Sequence, residues 1–114
     1  MGQAPTIELY QAEWCPFSHR VRLRLTELGL DFLARQVPPD RADREVLAAR
    51  AGTRAIPTLV LDGEPIEGVD AILAALAARY PEPPTAAVHR RKMAADWPLW
   101  QAQHDPEQTT RSER

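Results

Sequence analysis

The one cysteine of this 114-residue chain lies in the segment Trp14-Cys15-Pro16-Phe17-Ser18, between a strand-like run and a helix-like run. A thiol at the start of a helix is close to unpaired backbone N–H groups and to the positive end of the helix dipole, and both favour the thiolate. Because the thiolate is the nucleophilic form of cysteine, this position predicts a reactive thiol at Cys15. The alternative interpretation is a buried, inert side chain, which is how a lone cysteine most often behaves.

Two polar side chains follow Cys15 along the predicted helix. Ser18 lies about one turn on, so its hydroxyl is expected to donate a hydrogen bond to the sulfur. A helix-surface serine without a role is the alternative. His19 would add positive charge near the thiolate when it is protonated, whereas an exposed histidine in the first turn is the simpler interpretation.

Composition and charge restrict the classes of function. The chain has 14 Lys and Arg against 16 Asp and Glu, a formal net charge of -2, which does not favour a nucleic-acid partner or an anionic membrane. It shows neither a secretory signal pattern nor an apolar run that could span a bilayer. One cysteine excludes an intrachain disulfide framework and a four-thiolate zinc site. We therefore expect a small cytoplasmic domain, whose oligomeric state the composition does not predict.

Apolar periodicity and turn residues predict the element order β-α-β-α-β-β-α. The first helix is expected to begin at Pro16, where the missing N–H is no loss, and to end before Gly29. Asp40 is a candidate cap for the second helix, and Asp62-Gly63 predicts a tight hairpin turn. The predicted strands cover residues 6–10, 31–37, 56–61 and 65–67, and the predicted helices cover residues 16–28, 40–50 and 69–79.

The C-terminal part of the chain is expected to add one more helix, over about residues 85–97. Trp97 and Trp100 are expected to pack this helix onto the core. Residues 101–114 are polar and are expected to be frayed or disordered. The predicted organisation is therefore a domain over residues 1–80, a helical extension over 81–100 and a tail over 101–114.

The order and spacing of these motifs resemble the thioredoxin-fold module of glutaredoxins, which also forms the N-terminal domain of cysteine-type glutathione transferases. Cys15 to Leu23 is similar to omega-type transferases and dehydroascorbate reductases, whereas residues 62–70 are more similar to glutaredoxins. The resemblance covers about residues 5–80 and implies an α/β, thioredoxin-like fold with a four-stranded mixed sheet. It rests on the Cys-Pro-Phe-Ser motif at 15–18, the Ile-Pro strand start at 56–57, the Asp-Gly hairpin at 62–63 and the helix start at 68–70.

The same resemblance implies glutathione, or another low-molecular-weight thiol, as the cofactor. It implies a cis Ile56-Pro57 bond that faces Cys15 and presents backbone groups to a peptide-like thiol, the alternative being a trans proline that starts a strand. The helix start at Gly68 would hold the γ-glutamyl carboxylate and Asp70 the amino group, unless they only cap the helix. No metal ligands are predicted. The predicted catalytic residues are Cys15 and Ser18, and the predicted thiol-binding residues are Trp14, Pro16, Phe17, Ile56, Pro57, Gly68, Val69 and Asp70.

The leading functional hypothesis is a glutathione-dependent monothiol disulfide oxidoreductase, which acts on glutathionylated or small-molecule disulfides through a Cys15 mixed disulfide. Ser18 stands where dithiol glutaredoxins have a second cysteine, and Gln11 and Glu13 occupy the region where glutaredoxins often have a lysine. These departures motivate an alternative, a catalytically silent binding or interaction module. A third hypothesis is a glutathione-assisted iron–sulfur carrier, although Pro16 replaces the glycine of the usual Cys-Gly-Phe-Ser motif.

Overall fold

A four-stranded sheet with helices on both faces forms the body of the protein, and the structure, a computed structural model, describes residues 5–104. The elements are β1 (Ile7–Gln11), α1 (Pro16–Glu27), β2 (Leu33–Gln36), a 3₁₀ turn (Arg41–Asp43), α2 (Glu45–Ala51), β3 (Thr58–Leu61), β4 (Glu64–Glu67), α3 (Val69–Arg79) and α4 (Thr85–His104). The strand order is β2-β1-β3-β4, in which β1 is parallel to β2 and antiparallel to β3, and β4 is antiparallel to β3. The predicted thioredoxin-like mixed sheet with an extra C-terminal helix is confirmed.

The sheet is covered on both faces because its two central strands bury side chains on both sides. On one face Leu9 of β1 and Leu59 of β3 pack in a cluster with residues of α1 and α3. On the other face Tyr10 and Val60 pack against Leu47 of α2. These apolar contacts hold both ends of β1 in place, and the segment that carries Cys15 begins directly after that strand.

The hairpin between β3 and β4 forms as the sequence predicts. Asp62 and Gly63 both have positive φ, 50° and 87°, which is the backbone of a two-residue type I′ turn, and Leu61 pairs with Glu64 across it. The Asp62 carboxylate also accepts a hydrogen bond of 2.9 Å from the backbone N–H of Thr6. The hairpin thereby fixes the register of β3 and β4 at the end of the sheet that lies away from Cys15.

The predicted helix over residues 40–50 is wrong in one respect, because it is broken into two pieces. Asp40 caps a short 3₁₀ turn, and α2 begins only at Glu45, after Arg44 leaves helical geometry with φ -85° and ψ 58°. The reason lies in the side chain of Arg44, which is 6% exposed and donates hydrogen bonds to the backbone carbonyls of Pro38, Pro39 and Arg54 at 2.9 to 3.2 Å. Arg44 therefore ties the loop after β2 to the loop before β3.

The last helix is longer than predicted. The expected end near Trp97 and the expected frayed tail from Gln101 are wrong as far as His104, because α4 continues through Pro98 to that residue. A proline inside a helix costs one backbone hydrogen bond, and here the side chains around it stack and hold the last turns in place. The rest of the predicted tail, residues 105–114, lies outside the described residues. No helix between residues 5 and 104 has the length and apolar character needed to cross a membrane.

Candidate functional site

Cys15 is the N-cap residue of α1. Its sulfur accepts a hydrogen bond from the backbone N–H of Ser18 at 3.4 Å, and its own N–H donates to the carbonyl of Ala12 at 3.1 Å. Pro16 occupies the first helical position, as predicted. The Cys15 side chain is 5% exposed and, among the described residues, belongs to neither of the two core clusters. The thiol therefore sits at a helix N-terminus and not within the aliphatic core.

The predicted hydrogen bond from the Ser18 hydroxyl to the sulfur is not formed. Ser18 is fully buried, and within residues 5–104 its Oγ atom has no hydrogen-bond partner. The backbone N–H of Ser18 makes the contact in its place, because the third residue of a helix donates to the N-cap side chain. What approaches the sulfur is therefore the backbone and not the hydroxyl.

Three segments that the sequence singled out meet at one end of the sheet. In the sheet register Tyr10 pairs with Thr58, and Thr58 pairs with Glu67. The segment after β1 that carries Cys15, the residue before β3, which is Pro57, and the start of α3 after β4 are therefore neighbours across adjacent strands. The Ile56-Pro57 bond is cis, as predicted, and the carbonyl of Pro57 accepts a hydrogen bond of 3.0 Å from the N–H of Gly68.

The start of α3 offers backbone donors. Gly68 is the N-cap, with φ 91°, and within the described part of the chain no side chain caps this helix. Val69 is partly buried, and Asp70, in the first turn, is exposed. Uncapped N–H groups at a helix start favour an anion, and a nearby carboxylate favours a cation. The start of α3 can therefore hold a group that carries both charges.

Cys15 also lines a cavity of about 580 Å³ on the other side of the thiol, towards α4. Trp14 and Pro16 of the predicted thiol-binding set line it too. Phe17, Ile56, Pro57 and the residues at 68–70 are not among its lining residues. The cavity is lined by Glu13, Trp14, Cys15 and Pro16 of the loop, by His19 and Arg22 of α1, and by Trp97, Trp100 and Gln101 of α4.

The loop that carries Cys15 is held by an arginine from the second turn of α1. The Arg22 guanidinium contacts the side-chain oxygen of Gln11, donates to the carbonyl of Ala12 at 3.5 Å and pairs with Glu13 at 3.2 Å. Arg22 therefore brings a positive charge to the cavity that holds the thiol, and the Glu13 carboxylate balances that charge.

Comparisons with known proteins follow this geometry. The family model described as "Glutathione S-transferase, N-terminal domain" matches residues 9–84. The chain belongs to this family. It is also 31% identical over 68 residues to glutaredoxin 3 of Escherichia coli (strain K12), a match that covers 60% of this chain and 82% of that protein. Both relatives are thioredoxin-fold proteins named for glutathione chemistry.

Solved glutathione transferases have the same fold over this domain. A glutathione S-transferase from Rhodospirillum rubrum F11 matches with a TM-score of 0.59 and 32% identity, over 68% of this chain and 35% of that one. A rice enzyme solved in complex with glutathione matches with a TM-score of 0.61 and 26% identity, over 75% of this chain and 40% of that one. The chain thus spans about two-fifths or less of the length of these transferases.

Sequence reasoning within this family missed three residues that line the cavity. Arg22 received no role, and Trp97 and Trp100 were expected to pack α4 onto the core. In the structure Trp97 stacks on His19 of α1, whereas Trp100 is 43% exposed and lines the cavity. One signal was available, because Cys15, His19 and Arg22 stand at positions i, i+4 and i+7 and so share one face of α1.

His19 is half-buried, contrary to the simpler expectation of an exposed side chain. Its ring lies 4.6 Å from that of Trp97, with 17° between the planes. Burial of the imidazole and the nearby charge of Arg22 lower the pKa of His19, and Glu13 opposes them. The neutral imidazole is therefore the form that the folded protein favours in the stack.

This pKa shift predicts a pH dependence of stability. Because His19 takes up a proton less readily in the folded state, the unfolded chain binds more protons as the pH falls below the ordinary histidine value of about 6.5. We expect the free energy of unfolding to fall with decreasing pH from about 6.5 more steeply in the wild type than in His19→Gln. Urea unfolding at several pH values between about 7.5 and 5 measures both slopes, and equal slopes would contradict the prediction.

Proposed function

We propose that the chain is a glutathione-dependent monothiol disulfide oxidoreductase. The observation that supports this most is the position of Cys15, which caps α1, lines an open cavity and lies at the same end of the sheet as Pro57 and Gly68. The sequence contains one cysteine, so a second thiol must come from another molecule. A mixed disulfide with glutathione supplies it.

In the proposed reaction the Cys15 thiolate attacks the glutathione sulfur of a glutathionylated substrate. The substrate–glutathione S–S bond breaks, its electron pair leaves with the substrate sulfur, and that sulfur takes up a proton. A second glutathione thiolate then attacks the glutathione sulfur bound to Cys15, which releases glutathione disulfide and restores the Cys15 thiolate. The substrate disulfide is reduced, and two glutathione molecules are oxidised to one disulfide.

Local interactions favour the thiolate form of Cys15 in this reaction. The N–H of Ser18 donates to the sulfur, the dipole of α1 places partial positive charge there, and the guanidinium of Arg22 lines the same cavity. Arg22 thereby provides the positive charge that the sequence lacks just before the Cys15 motif. Trp14, Pro16 and Phe17 are proposed to flank the bound thiol.

Glutathione is the proposed thiol because the start of α3 suits its γ-glutamyl end. The uncapped N–H groups after Gly68 would bind the carboxylate, and the exposed carboxylate of Asp70 would accept from the ammonium group. Backbone groups at Ile56 and Pro57 would pair with the peptide part. The glutathione complex of the rice relative supports the same choice of ligand.

The direct test is turnover of a glutathionylated peptide with reduced glutathione. We expect release of the free peptide and, when the second glutathione is omitted, one glutathione adduct on Cys15 detected by mass spectrometry. Absence of both the turnover and the adduct would contradict the proposal. It would favour the alternative in which the domain only binds a partner.

Asp70→Asn tests the proposed glutathione contact. Loss of a partly exposed charge-assisted contact is expected to raise the KM for glutathione about tenfold, which corresponds to about 1.4 kcal/mol, with kcat within about twofold. Glu64→Gln is the matched control, because it removes an exposed carboxylate at the opposite end of β4. An equal rise in KM for both variants would show that net charge, and not a contact at Asp70, causes the effect.

A further inference from the structure

The cavity beside Cys15 has an aromatic wall that the proposed glutathione contacts leave unused. The rings of His19 and Trp97 lie 4.6 Å apart, and those of Trp97 and Trp100 lie 4.8 Å apart with 7° between their planes. The three rings form one nearly parallel stack that runs from α1 onto α4. Trp100 is at the α4 end of this stack, and Trp14, which is 63% exposed, also lines the cavity.

The wall and the proposed glutathione contacts lie on different elements. All residues that line the cavity come from the loop at 13–16, from α1 and from α4, whereas the proposed glutathione contacts come from the segments at 56–57 and 68–70. Cys15 lines the cavity and lies at the sheet end where the other two segments meet. A disulfide at this sulfur therefore has two separate places for its two halves.

The volume and the charge of the cavity restrict what it accepts. About 580 Å³ is within the range of small-molecule sites. The Arg22 guanidinium is paired with Glu13, so the two charges in the wall largely cancel, and the remaining surface is mainly aromatic. Stacked indole rings favour a flat, uncharged ring placed parallel to them.

We infer that this cavity is the subsite for the leaving half of the substrate, and that it selects small thiols that carry a flat aromatic group. This inference rests on the proposed function, because it concerns the thiol that departs when Cys15 takes the glutathione. Trp97 and Trp100 of α4 are the residues that determine the selection, and Cys15 supplies the chemistry.

The test compares two mixed disulfides of glutathione, one with 2-phenylethanethiol and one with 2-cyclohexylethanethiol. Both are primary alkyl thiols of similar size, so the difference between them reports the flat ring and not the reactivity of the leaving sulfur. We expect a kcat/KM about fivefold higher for the phenyl compound in the wild type. In Trp100→Leu this ratio is expected to fall to about one.

Leu99→Ala is the matched control for Trp100→Leu. Leu99 precedes Trp100 on α4 and is 64% exposed, and it is not among the residues that line the cavity. This variant is expected to keep the wild-type ratio. A wild-type ratio near one, or a ratio that survives in Trp100→Leu, would overturn the inference. Loss of the ratio in both variants would indicate a general disturbance of α4 and would also overturn it.

A binding measurement separates this inference from the proposed function. The thioethers S-(2-phenylethyl)glutathione and S-(2-cyclohexylethyl)glutathione have no disulfide bond, so their affinities by calorimetry do not depend on turnover. If the protein reduces neither mixed disulfide, the proposed function fails, and the subsite is then judged from the two thioethers alone. Tighter binding of the phenyl compound that is lost in Trp100→Leu supports the subsite, and equal affinities overturn it.

Discussion

Cys15→Ser is expected to lower turnover of a glutathionylated peptide by at least about a thousandfold while the protein stays folded. The loss follows because the hydroxyl of serine is not ionised near neutral pH and cannot form the mixed disulfide. The fold should survive because serine is itself a good N-cap, and its oxygen can accept from the N–H of residue 18 as the sulfur does. Steady-state kinetics give the first quantity, and urea unfolding gives the second.

This pairing of activity with stability makes the Cys15 experiment decisive. A variant that unfolds at the wild-type urea concentration but has no activity assigns the loss to the sulfur. Ser18→Ala provides a graded comparison, since the backbone N–H that contacts the sulfur is retained and only the unpartnered hydroxyl is removed. Turnover should fall by no more than several-fold in Ser18→Ala. Turnover that persists in Cys15→Ser would contradict the proposed chemistry at this residue.

Arg44→Ala is expected to give the largest loss of stability, about 2–4 kcal/mol. The Arg44 guanidinium is almost fully buried and is the donor to three backbone carbonyls in two different loops. Its removal leaves these carbonyls without that donor in a poorly hydrated place, and hydrogen bonds from charged groups are among the stronger ones. Urea denaturation of the two proteins, followed by circular dichroism, measures the difference in the free energy of unfolding.

Arg50→Ala is the matched control for the arginine prediction. Arg50 is also close to α2, but its side chain is 42% exposed and pairs with Glu8 at 3.0 Å, so its loss should cost less than about 1 kcal/mol. Arg44→Lys should recover only part of the stability, since one ammonium group does not reproduce the planar set of donors. Equal destabilisation by Arg44→Ala and Arg50→Ala would show that positive charge in general, and not the three carbonyl contacts, is responsible.

Most of the fold could be predicted because its boundaries depend on local rules. Pro16 and Gly29 delimit α1, and Asp62-Gly63 forces the hairpin through its positive φ angles. The break before α2 could not be found in this way, because it depends on Arg44 reaching carbonyls on both sides of it in the chain. The passage of α4 through Pro98 depends likewise on packing between helices that are distant in sequence.

The candidate site was predictable only in part, for a similar reason. Cys15 could be placed at a helix start, and Pro57 and Gly68 near it, because turn residues and the sheet order determine those positions. The donor to the sulfur was assigned to the hydroxyl of Ser18, whereas the backbone of the same residue makes the contact. The wall of the cavity was missed because it requires α4 to lie along α1, and no local pattern specifies that contact.

The family model ends at residue 84, one residue before α4 begins. The thiol and the proposed glutathione contacts thus belong to the shared module, whereas the tryptophans beside the thiol stand on a helix appended to it. Evolution could accordingly exchange or redecorate that single appendage and obtain a new substrate preference, leaving the redox machinery inherited and unaltered. For an engineer, α4 is a replaceable cassette.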